Sequence, residues 1–291
     1  VITAEVTGNG GITLIPDAAA TTVALNDATG TFSLTAAELQ NLASTGTVTI
    51  GRAGDGTGTM SIGDAGAIDL STETFGLSLV GTSSNVVFDA NGITLGNDEA
   101  FNFTIGTGNI TSAAAAAITI GGAGTITFTS AGTVGANGAE LNTVVSNLGA
   151  STTTGSVFID NTGALDISGA FDVAGNNLTL ENTAAVTQTG AITAGGLELL
   201  GTGSYILNNA ANAVAELAAN ITEELQFTNN ANLNVTTVTG DGTAGITTTD
   251  DNVTIAIGNN ELTVSQAIAA GDGAVSLTSN EIVITAAVTG N

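Results

Sequence analysis

Short runs in which apolar and polar residues alternate recur throughout the 291-residue chain, most regularly from Gly155 to Asn229. Alternation with period two is the pattern of half-buried β-strands. Three series follow one another there. The first runs Val157/Ile159, Leu178/Leu180, Leu197/Leu199; the second Leu165/Ile167, Val186, Ile206, Leu225/Phe227; the third Val173, Ile192. Each step is about 20 residues, the length that three short strands and their turns need to close one coil. Side chains of one series then stack above one another. The predicted fold is all-β, a right-handed parallel β-helix (β-solenoid) with three strands per coil. The same vocabulary continues in Thr47–Ile50, Ile118–Ile120, Thr125–Phe128, Val253–Ile257 and Val275–Thr278.

Glycine and asparagine fall where the corners belong: Asn161 and Gly163, Gly175 to Asn177, Gly195 and Gly196, Asn208 and Asn209. Both residue types tolerate left-handed backbone, and stacked asparagines can hydrogen-bond along the axis. Two segments interrupt the strands. In Ser33–Ala43, Thr35 and Glu38 have capping-box spacing with Leu39 and Leu42 on one face, and Ala139–Leu148 has a similar look; both predict short helical turns.

A longer period joins the ends. Val1–Asn9 recurs as Val283–Asn291 with eight identities in nine, at an offset of 282. The expectation is one continuous solenoid over residues 1–291, a copy of a repeat of that length within a much longer chain. The first ten residues have no basic start or apolar run, which agrees with an interior segment. At about 4.8 Å per coil, roughly 14 coils would extend roughly 65–70 Å.

Composition narrows the chemistry. Hydrophobic residues make up 43% but aromatics only 3%, so the expected core is many small aliphatic layers. There are 26 acidic residues against one basic residue, Arg52, giving a net charge of −25 with no His and no Cys. Nucleic acid and insertion into a membrane are excluded as expected partners, and divalent cations are favoured, as a diffuse Ca²⁺ association. Without His, Cys or Lys there is no catalytic triad, Cys-His pair or Schiff base, so no enzyme activity and no catalytic or cofactor-binding residue is expected. Only carboxylate chemistry survives, through Asp166, Asp172, Glu198 or Asp250/Asp251, for which solvated surface charge is the plainer reading.

Asn97-Asp98-Glu99, Glu223/Glu224, Asp241 and Asp250-Asp251-Asn252 offer hard oxygen ligands, but no EF-hand spacing. Gly121–Gly124 begins like a Ca²⁺-binding nonapeptide and then carries Ile126 where that motif has Asp. No specific metal site is therefore assigned. Thr47/Thr49, Thr57/Thr59 and Thr125/Thr127 have the Thr-x-Thr form of ice-binding solenoids without recurring at every coil. Arg52 reads as a solvated side chain, with an ion pair to a neighbouring subunit as the alternative. Tyr205 and Met60 read as core or rim.

The stretches Ala185–Gly196, Gly203–Asn220, Gly245–Thr249 and Leu34–Gly51 resemble repeats of filamentous-haemagglutinin-like exoproteins and large autotransporter-type adhesins. The resemblance implies export to the bacterial cell surface or extracellular space, and a role in adhesion, matrix or filament formation. Scarcity of basic and aromatic residues departs from members that bind receptors, which favours a rod-like spacer or filament stacking end to end with neighbouring copies. Two alternatives stay open: a surface-layer or biofilm-matrix protein with Ca²⁺-strengthened lateral contacts, and an ice-binding solenoid.

Overall fold

A computed structural model describes residues 1–27, 29–113, 115–240 and 242–291. It is a parallel β-solenoid of about ten turns, with about 22 residues per turn. Contacts divide the chain into two compact units, residues 1–147 with 152–154, and residues 148–151 with 155–291.

In the first unit, the regular coils have three strands each. Met60–Ile62, Ile68–Leu70 and Gly76–Val80 are followed by Val86–Phe88, Ile93–Leu95 and Ala100–Thr104. Each strand pairs in parallel with its counterpart a coil away: Met60 with Val86, Ile68 with Ile93, Leu77 with Phe101. Inward residues meet inward residues, so the core is a set of columns, such as Val48, Leu77, Phe101 and Ile126. The few aromatic side chains concentrate inside. Phe101 and Phe103 lie 4.4 Å apart between centroids, and Phe103 stacks on Phe128 at 5.6 Å, so this unit has an aromatic column where only aliphatic layers were expected.

The steps from Met60 to Val86, Val86 to Ile110 and Phe101 to Ile126 all exceed the regular step of the sequence pattern, and that from Ile12 to Val48 is longer still. Longer corners account for the excess, and fewer coils result than the sequence period predicts. The helix α1, Ala36–Gln40, stands in one such excursion. Its capping box is formed as expected: Thr35 accepts the Glu38 N–H while the Glu38 carboxylate accepts the Thr35 N–H, and Leu39 is buried beneath it. The second helical expectation fails. Leu141–Val144 and Asn147–Leu148 are strands, because Leu141 and Thr143 alternate inward with Asn142 and Val144, and β-branched Thr143, Val144 and Val145 prefer the pleated backbone.

In the second unit the first series is as predicted: Val157 pairs with Leu178 and Leu178 with Leu197. The second series is correct at Leu165–Val186 and wrong at Ile206. Tyr205 and Leu207 point inward, pairing with Leu225 and Phe227, and Ile206 faces out. A slip of one residue reverses every face of a strand. In the third series it is Phe171, not Val173, that pairs with Ile192. Met60 and Tyr205 are both buried core residues.

Candidate interaction surfaces and buried polar groups

Asp166 is half-buried and accepts hydrogen bonds from Thr187 Oγ1 at 3.0 Å and Thr189 Oγ1 at 3.2 Å. Asp172 accepts from the Ala174 N–H at 2.8 Å and sits opposite Thr193, five residues before Glu198 on the same neighbouring strand. The structure therefore does not oppose these carboxylates to one another. Asp250, with φ 60°, accepts the Asp272 N–H, and Asp98, with φ 64°, accepts the Ala123 N–H at 2.6 Å. Both act as corner side chains binding the adjacent coil's backbone. Gly121–Gly124 is the turn above Asp98. Glu224 accepts from Gln226 Nε2. Among the described residues, no group of three or more acidic side chains is disposed to hold a metal ion, and Asp241 lies outside them.

Glu198 is different in kind. Its position on Ile192–Gly201 alternates with inward Leu197 and Leu199, so it points out of the coil, yet it is fully buried. Its cover comes from residues 236–240 and 242–245. Leu217 pairs with Val235 and Ala219 with Ile246, so two positions on one strand face eleven on the next, and the surplus folds back with Thr237 bridged to Ala244. The Thr243 N–H donates to Glu198 Oε1 at 3.0 Å, Thr179 Oγ1 to Oε2 at 2.9 Å, and Asn177 Nδ2 to Thr239 Oγ1 at 3.0 Å. The carboxylate is the anchor of a flap. Strand alternation places Glu198 outward, but its cover comes from Thr243 and its neighbours, far along the chain.

Asp27, Asp64 and Asp89 form a carboxylate cluster that sequence spacing did not show. Burial first, then a hydrogen bond and charge repulsion from Asp27 and repulsion from Asp64, push the Asp89 carboxyl above its ordinary range. Arg52 is half-buried and paired within the chain. Its Nε contacts Asp55 Oδ1 at 2.6 Å and its Nη1 reaches the Pro16 and Asp17 carbonyls at 3.3 Å, tying one corner to another. Of the Thr-x-Thr pairs, Thr49 and Thr127 stand in an outward row on the first unit, Thr13, Thr49, Ser78, Asn102 and Thr127, in which threonine is interrupted, and Thr57 and Thr59 lie outside the strands.

Exposed large apolar side chains sit mainly in the first and last coils: Val1, Val6 and Ile15, and Ile282, Val283 and Ile284, with Val144 between. Ile282 and Ile284 continue the columns of buried Leu262 and Val264. Comparison of the chain with protein-family models, curated proteins and solved structures yields no match.

Proposed function

We propose that this chain is a structural segment of an extracellular bacterial surface fibre, in which copies stack end to end, and that it is not an enzyme. The observation that carries the reading is the return of Val1–Asn9 as Val283–Asn291 in a stack of parallel coils whose inward columns stay in register, as from Leu262 to Ile282. A repeat made of whole coils can be continued by a further copy, because each coil's apolar face is covered by the next. The likeness to large exoprotein repeats supports export and surface display, and one basic residue in 291 leaves trypsin-like proteases almost no cleavage site. The net charge of −25 keeps flanks of neighbouring fibres apart and gathers divalent cations diffusely. Electron microscopy of the native material beside a denaturing gel tests this. Filaments with a spacing of about 4.8 Å and a band far above the mass of one copy are expected; isolated particles of one copy's mass would overturn it.

A further inference from the structure

The two copies of the nine-residue motif use opposite edges. Alternate residues of a parallel strand direct their backbone groups to opposite neighbours. In the second copy, the Ala287 and Thr289 carbonyls accept from Ile268 and Ala270, and the Thr285 N–H donates to Val264, all toward the preceding coil. In the first copy, the Val6 N–H donates to the Asn41 carbonyl at 2.8 Å, the Ile2 N–H to Glu38 Oε1 at 2.7 Å, and Asn41 Nδ2 to the Ile2 carbonyl at 3.0 Å, all toward the following coil. Ile2 and Val6 correspond to Ile284 and Val288, whose parity leaves them facing forward. No backbone group is claimed twice.

The columns agree. At an offset of 282, Val275, Ser276 and Leu277 precede the counterparts of Ile12, Thr13 and Leu14 by the same spacing that separates Leu178 from Leu197. The inward column Leu225, Val253, Val275 would run into Ile12, Val48, Leu77, and Phe227, Ile255, Leu277 into Leu14, Ile50, Leu79. Outward, Thr254 and Ser276 would run into Thr13 and Thr49.

We infer that Val283–Asn291 of one repeat and Val1–Asn9 of the next are a single shared coil in one covalent chain, seated on the following repeat by Glu38 and Asn41. This rests on the fibre reading and adds its register and its junction residues. Glu38 and Asn41 flank the buried face of α1, so the helix stands where a strand would otherwise cover Ile284.

The chain contains no Cys, so a tandem of residues 1–282 followed by 1–291 takes introduced thiols cleanly. Ser276→Cys in the first copy with Thr13→Cys in the second should form an intramolecular disulfide, since aligned neighbours in adjacent strands are about 4.8 Å apart, within disulfide reach. Ser276→Cys with Ile15→Cys, two residues out of register on the same face, should not. Hydrogen exchange at the junction amide, Ile2 of the second copy, should be slow relative to Ile284 in the last coil of the single copy, and Glu38→Ala with Asn41→Ala in the second copy should remove that protection while the solenoid's circular dichroism is kept. Equal linking of the shifted pair, or no linking in a tandem whose two copies are both folded, overturns the shared coil and leaves the fibre reading to the microscopy. Linking between separate single copies without linking in the tandem also overturns it, in favour of docked subunits.

Discussion

Asn161 Nδ2 donates to Asn182 Oδ1 at 2.9 Å inside a corner where both side chains are fully buried. Asn182 passes the bonding on to the Gly163 and Ala184 carbonyls. The ladder stops after two rungs because the aligned position in the next coil is Gly201, whose φ of 98° turns the chain. Asn182→Ala should therefore cost about 1–3 kcal/mol, the penalty for buried amide and carbonyl groups left without partners. The urea midpoint checks it. Asn161→Ala combined with Asn182→Ala should cost less than the sum of the two, because the rungs serve each other.

The single tyrosine is an internal probe. The Tyr205 hydroxyl lies 2.8 Å from the Leu180 carbonyl and 2.7 Å from that of Leu200, and its one proton serves one of them at a time. Burial, reinforced by the charges of Glu181 and Asp160, pushes the phenol far above its ordinary pKa of 10. An alkaline absorbance titration should show no phenolate until the second unit unfolds, then an abrupt rise. Tyr205→Phe should lower stability by about 1–2 kcal/mol through the lost hydrogen bond.

Glu198→Ala should free the flap. Without the carboxylate, the Thr243 N–H and the Thr179 hydroxyl lose their acceptor in a buried site, so exchange at the Thr243 amide and proteolysis within residues 236–245 should accelerate. Glu198→Gln, which retains one acceptor oxygen, should give a smaller effect. Unchanged exchange in both variants would show that the flap is held without the carboxylate, by buried Val238 and the Asn177–Thr239 hydrogen bond.

Asp89 gives a pH dependence of defined sign. Its folded pKa lies above its ordinary 3.8, so the native state binds more protons than the unfolded one in that range. Stability therefore rises as pH falls through the folded value, and a penalty is present at neutral pH. Asp89→Asn should raise the melting temperature at pH 7, and the gain should shrink once the wild-type carboxyl is protonated. Glu38 runs the opposite way. Backbone N–H groups of Thr35 and Ile2 hold it down to about 2, so its contribution is complete above about 4.5 and disappears as pH falls toward 2.

Gly106 tests the corner geometry. Its φ is 63°, and an added Cβ would fall against the Thr82 carbonyl of the adjacent coil. Gly106→Ala should destabilise the first unit by about 1–3 kcal/mol through strain and displaced backbone. Gly138, also at positive φ but with open space beside it, should tolerate alanine with a smaller loss.

How far the fold was legible depends on how unequal adjacent residues are. Leu178-Thr179-Leu180 and its neighbours show plain alternation, so strand, face and pairing were all readable. Tyr205-Ile206-Leu207 is apolar at every position, and period two then cannot choose a face. Phe171 and Val173 share the same ambiguity around a strand of two residues. The regular step was visible only where corners are short; in the first unit, longer and unequal corners, as between Met60 and Val86 and between Val86 and Ile110, blur the period. The Asp27–Asp64–Asp89 cluster and the cover over Glu198 depend on how many residues each corner absorbs, and no local pattern carries that. The end repeat was visible in the letters, whereas Glu38 and Asn41 became junction residues only once the direction of each backbone group was known.

Within each unit the columns stay in step whether a coil closes quickly, as from Leu178 to Leu197, or by a long detour, as from Ile12 to Val48. Added residues therefore widen the girth of a coil without lengthening its rise, which backbone hydrogen bonding fixes. A unit built this way is a ruler graduated in coils: two variants differing by dozens of corner residues would measure the same along the axis, while deletion of one three-strand turn would shorten either by a single graduation.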